Sequence, residues 1–235
     1  MNPLAGVLSE AWAMYRAHAR HLLMIALVVY LAAAVVEAVL GLLGVLGALL
    51  AGIVGIVAAF LLQAALVKAV EDVRDGRVDL SFSETLQAAR PAVGSVAVAS
   101  ILAGIAIAIG LVLFIVPGLF LLTIWCLIVP VIVLEGVGAF SAFERSRQLV
   151  RGHGWQVFGT LVLVFLLLIV ASIVLGLLLS PLPQAASDFI GGIVSGTLVA
   201  PFVALVLTLG YFRLRAAETS TQGGYGYGPG GQPTA

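Results

Sequence analysis

Glu37 and Gln63 are the polar residues that interrupt an apolar run from Leu22 to Val67. An ionisable side chain with no basic neighbour in such a run has three options. It can be protonated, face a wet cavity, or sit high enough to reach the lipid–water interface. The third is the simplest reading of Glu37, and proton or cation handling is the functional alternative. The two residues are not expected to meet. Glu37 lies about seven residues from the turn near Gly44 and Gln63 about nineteen, a height difference of about 18 Å at the helical rise.

Other chemistry is sparse. The histidines are His18, His21 and His153, and the first two share a helical face at i, i+3, where Glu10 or His153 could join them on a metal. A metal-dependent hydrolase needs several carboxylates and a histidine pair for acid–base work. Glu71, Asp72, Asp75 and Asp79 instead alternate with Arg74 and Arg77 in VEDVRDGRVD, the pattern of a solvated, self-compensating loop. No Ser-His-Asp set and no phosphate-cradling Gly-rich loop is present. We therefore expect no catalytic residue, no cofactor and no metal. Eleven basic residues scattered over four segments and balanced by acids also make no nucleic-acid stripe.

The elements that position these residues follow from composition. The chain is 62% hydrophobic and 9% charged, with a mean hydropathy of +1.21. Soluble domains carry about a quarter charged residues. Runs of roughly 20 apolar residues span a membrane as helices, and six such spans are expected at about 22–43, 46–67, 93–115, 118–134, 157–179 and 189–211. The runs are apolar on all sides, unlike the alternating strands of a β-barrel. Glu10, Arg16, His18, Arg20 and His21 crowd the first 21 residues, so no cleaved signal peptide is expected. The single Cys126 excludes an internal disulfide. The predicted fold is all-α and polytopic: a membrane domain over 1–215, then a disordered Gly/Pro/Tyr tail over 216–235.

All eleven basic residues fall in the N-terminal segment, residues 68–91, residues 135–154 and the C-terminal segment. The other loops hold none, so both termini are expected in the cytoplasm. Three of the charged segments align: LSEAWAMYR (8–16), FSETLQAAR (82–90) and FERSRQLVR (143–151), each ahead of a pair of spans. That register predicts a threefold repeat of amphipathic interfacial helix plus transmembrane hairpin, with Ser9 or Ser83 near a helix start. Arg16, Arg90, Arg145, Arg147 and Arg151, with Trp12 and Trp155, are then candidate contacts to anionic lipid. Pro130 and Pro201 each remove a hydrogen bond inside a span. Gly192, Gly196, Ala200, Ala204 and Thr208, and likewise Ser100, Gly104 and Ala108, form small-residue stripes suited to close helix packing.

Residues 116–159 carry Pro117-Gly118, Trp125, Pro130, Glu135-Gly136, Arg145-Ser146, Leu149-Val150-Arg151-Gly152 and Trp155. This pattern resembles the membrane domain found beside glycerophosphoryl diester phosphodiesterases and also as a stand-alone bacterial protein. Ile124 departs from it where a basic residue would stand beside the tryptophan. The resemblance implies a bacterial inner-membrane protein without the catalytic domain that names the family. The expected role is a non-enzymatic scaffold or accessory module. It would engage membrane lipids, anionic ones in particular, a membrane protein partner or a second copy of itself. The alternative is a transporter or permease using Glu37 and the Pro-broken spans.

Overall fold

A computed structural model of the chain describes residues 3–74 and 79–223. In order, its elements are α1 (Val7–Ala17), α2 (Ala19–Gly41), α3 (Gly44–Val73), α4 (Phe82–Leu113), α5 (Ile115–Trp125), α6 (Ile128–Glu135), α7 (Ala139–Val150), α8 (Gly154–Leu179) and α9 (Gln184–Gly223). Among the described residues six stretches are long and apolar enough to cross a membrane: α2, α3, α4, α5 with α6, α8, and α9 from Ile190. Apolar runs in lipid satisfy their backbone groups internally only as helices or closed barrels. The fold is accordingly all-α, and the chain is a membrane-embedded, multi-pass protein.

α9 is the helix around which the others assemble. It packs against α1, α2, α3, α6, α7 and α8. Its 40 residues span about 60 Å at the helical rise, twice the roughly 30 Å of a hydrocarbon core. The expected tail boundary at 216 is therefore corrected. AAETSTQG continues the helix to Gly223, and residues 224–235 lie outside the described residues. α8 is the opposite case, with only Val157 and Val164 buried.

Prolines act as the sequence suggests, but unequally. Pro130 offers no N–H to the Cys126 carbonyl and its ring crowds it, and the fourth span is divided there into α5 and α6. Pro201 stays inside an unbroken α9, while the Tyr15 hydroxyl donates to the nearby Leu198 carbonyl at 3.1 Å. The stripe on α9 packs closely at Gly196, where a Cβ would fall 2.6 Å from the Tyr30 ring of α2, but not at Gly192, where it would meet nothing within 4 Å. The stripe on α4 does not pack closely, because Gly104 and Ala108 are exposed and Val96, Ala99 and Ala103 face the bundle.

The repeat is realised in two units of three. His18 and His153, mates in the alignment, both cap a span with nearly the same backbone (φ −116°, ψ 21° and φ −121°, ψ 12°). Each carbonyl accepts from the amides three and four residues on, His21 and Leu22 in one case and Gln156 and Val157 in the other. The second unit lacks the break: Phe82–Arg90 runs straight through Pro91 into α4. Its start is capped by Ser81, not Ser83. The Ser81 hydroxyl accepts from the Glu84 amide while the Glu84 carboxylate accepts from the Ser81 amide at 2.8 Å.

The α4–α5 turn at the bundle's uncharged end is a close backbone approach. A Cβ on Gly118 would lie 2.6 Å from the Leu111 amide nitrogen, so only glycine allows this backbone approach. Gly118→Val should cost about 1–3 kcal/mol by overpacking, whereas Gly104→Val on the exposed face of α4 should change stability by less than about 0.5 kcal/mol. Reversible unfolding in mixed detergent micelles measures both.

Candidate functional site

The charged end of the bundle holds the polar side chains that fix helix positions. α6 stops at Glu135 because Gly136 turns left-handed (φ 67°) and its amide closes on the Ile132 carbonyl at 3.0 Å. α7 then returns across the end of the bundle and brings Arg145 over Glu135. Arg145 Nε donates to both Glu135 oxygens at 3.1 Å, and its terminal nitrogens donate to the two Glu218 oxygens of α9 at 2.9 and 2.8 Å. The Tyr211 hydroxyl donates to Glu135 Oε1 at 2.8 Å, and Arg215 donates to Tyr211 at 3.2 Å. Tyr211, Arg215 and Glu218 stand at i, i+4 and i+7, which puts them on one face of α9.

Charge assistance and the forked Arg145–Glu218 geometry make these contacts stronger than neutral ones. Side-chain exposure of 25% for Arg145, 16% for Glu135 and 30% for Glu218 places them between surface and core. The Glu218 hydrogen bond is the largest influence raising the Arg145 pKa. Partial burial opposes it, and Glu135 adds to the rise. The guanidinium is thus permanently charged, a brace and not a proton donor.

Two further contacts seat α7 on the broken span. The Ser146 hydroxyl donates to the Ile124 carbonyl at 2.8 Å, and Trp125 meets Phe143 edge-on at 4.9 Å. Trp125, Pro130, Glu135, Gly136, Arg145 and Ser146 therefore converge on one joint. Pro117 and Gly118 lie apart from it, in the first turn of α5. Arg145 was expected to anchor lipid. In the structure its guanidinium is engaged by the carboxylates of α6 and α9.

α9 also receives α1 and α3. Arg213 donates to Glu10 and to the Pro3 and Ala5 carbonyls, and Arg74 stacks on Phe212 at 4.0 Å. Glu10 is therefore committed to a guanidinium and not to the histidines. His18 Nδ1 and His21 Nε2 are buried without a partner among the described residues, where no three metal-ligating side chains gather. Within the acidic loop, Asp72 accepts the Asp79 and Leu80 amides, while Asp75 and Arg77 lie outside the described residues.

The remaining candidates form an outward rim. Arg16, Arg90, Arg147 and Arg151 are exposed. Trp12 is 50% and Trp155 86% exposed. Arg16 lies over the Trp12 ring at 5.6 Å, and Arg147 reaches Glu144 only at 3.8 Å. Beside the rim, α5 and α8 diverge around an apolar groove of about 790 Å³ lined by Phe120, Thr123, His153, Trp155 and Phe158. Gln63 is exposed on α3, five residues before Lys68. Glu37 lines an open cleft between α2, α3 and α9, with Tyr30 its other polar wall residue.

The family described as a domain of unknown function, DUF7847, matches residues 77–219. The chain belongs to this family. The DUF7847 region contains the whole Glu135–Arg145–Tyr211–Arg215–Glu218 cluster and ends one residue beyond it, whereas α1, α2 and α3 lie outside. No curated protein and no solved structure matches the chain.

Sequence reasoning missed Tyr211 and Glu218, whose i, i+7 spacing with Arg215 was the available signal. Removing Arg145 leaves two carboxylates facing each other. Arg145→Ala should cost about 1.5–3 kcal/mol, Arg145→Lys less but not zero because the fork is lost, and Arg147→Ala about nothing. Comparing the three unfolding midpoints in one detergent checks the order.

Proposed function

We propose that the protein is a non-enzymatic membrane module, a scaffold or accessory unit, whose charged end engages anionic lipid and a membrane partner. The observation that carries this reading is the division of charge. Arg145 and Arg213 are consumed in holding helices together, while Arg16, Arg90, Arg147 and Arg151 remain on the outside with Trp12 and Trp155. Tryptophan and arginine are suited to the headgroup layer, the first by its amphipathic ring and the second by its charge. The apolar groove between α5 and α8 opens beside that rim and is shaped for an acyl chain. α8, with two buried residues, leaves most of its surface for lipid or a second protein.

The confinement of every basic residue to one set of segments supports a cytoplasmic charged end and cytoplasmic termini. The resemblance of residues 116–159 to the membrane domain found beside glycerophosphoryl diester phosphodiesterases supports a bacterial cell membrane. It also agrees with a module that assists catalysis elsewhere and performs none itself. A transporter or permease is the second reading, and the Glu37 cavity is the observation on its side.

Native mass spectrometry from native nanodiscs tests the proposal. The wild type should retain a discrete phospholipid or protein mass. Each basic residue near an anionic surface contributes about 1 kcal/mol, so Arg16→Gln, Arg90→Gln and Arg151→Gln together should weaken retention on the order of a hundredfold. A wild-type protein that emerges bare would sink the scaffold reading.

A further inference from the structure

We propose that the open cleft between α2, α3 and α9 binds a small organic cation bearing alkyl groups, with Glu37 as its counter-charge. The site is separate from the charged rim and lies in the half of the bundle away from it. Its volume is about 450 Å³, within the roughly 300–1,000 Å³ of small-molecule pockets. Tyr30 and Glu37 supply its polar side chains, and Ala34, Ala58, Leu62 and Ile193 are among its aliphatic walls.

The carboxylate is accommodated by an absence opposite. A Cβ on Gly55 would stand 2.5 Å from Glu37 Oε1, so any larger residue there would displace the acid. Among the described residues no hydrogen bond or ion pair reaches Glu37. All eleven basic residues belong to the segments outside the predicted spans and cannot neutralise it. An ionised carboxylate in this position needs an external partner of opposite sign.

The walls decide which kind. A hard metal cation asks for a shell of about six or more oxygens, and this cavity presents one carboxylate and one phenol. An alkylated ammonium needs only a counter-charge, apolar contact and an aromatic neighbour, and Tyr30 is the aromatic residue of the lining. Gly192 lines the same cavity, and a Cβ there meets nothing within 4 Å, so this position opens onto free space.

Isothermal titration of the full chain in nanodiscs with tetramethylammonium chloride, against sodium chloride of equal ionic strength, tests the site. The wild type should bind saturably at one site. Glu37→Gln should weaken binding at least tenfold. Gly192→Leu, which adds bulk to the cleft wall while leaving the carboxylate in place, should also weaken it at least tenfold. Elution volume and helical circular dichroism establish that each variant is folded. Absence of saturable binding to the wild type, or wild-type binding by either folded variant, overturns the proposal.

Discussion

Arg145 receives one carboxylate from α6 and a second from α9 while itself standing on α7, so a single guanidinium joins three helices by charge. Such a contact matters more here than in a soluble domain. Lipid tails are as apolar as leucine, so burying Leu against Leu does little to favour one helix arrangement over another. Position must be set by polar contacts and by close backbone approach. This bundle uses the first at its charged end and the second at the other, where Gly110 and Gly118 let α4 and α5 touch. The last turns of α9 present Tyr211 to α6, Phe212 to α3, Arg213 to α1 and Glu218 to α7.

The broken fourth span is part of the same arrangement. A continuous helix from Ile115 to Glu135 would satisfy its own carbonyls and give α7 no polar seat. The break around Cys126 and Leu127 leaves the Ile124 carbonyl available to Ser146, and the left-handed Gly136 turns the chain so that α7 can come back over it. Proline, serine, glycine and arginine thus act as one joint. That explains why these residue types sit close together in sequence.

Much of the architecture was legible because it depends on local composition. Apolar runs define spans whatever their neighbours are, and Pro130 breaks a helix through its own ring. His18 and His153 show how far alignment reached: two positions 135 residues apart in sequence share one backbone conformation. The limits were equally physical. Exposed arginines and bracing arginines look alike in a sequence, and only the passage of α9 separates Arg145 from Arg151. Gly- and Gln-rich composition after Arg215 concealed a helix that Glu218 ties down through a residue 73 positions away. Glu37 was legible as a lone acid in an apolar run, but the cleft beside it depends on how α2, α3 and α9 pack and has no signature in the sequence.

The clasp between Glu10 and Arg213 joins residues 203 positions apart, the first helix to the last. A ribosome adding about 5–20 residues per second separates their emergence by roughly 10–40 s. During that interval α1 exists without its counterpart, its Glu10 unmatched and its apolar face, Leu4, Val7 and Ala11, uncovered by α9. The membrane surface is the one place where an amphipathic segment can wait without aggregating. The final helix therefore brings the contact that α1 waits for, and a chain arrested before Arg213 lacks the clasp between its first helix and its last.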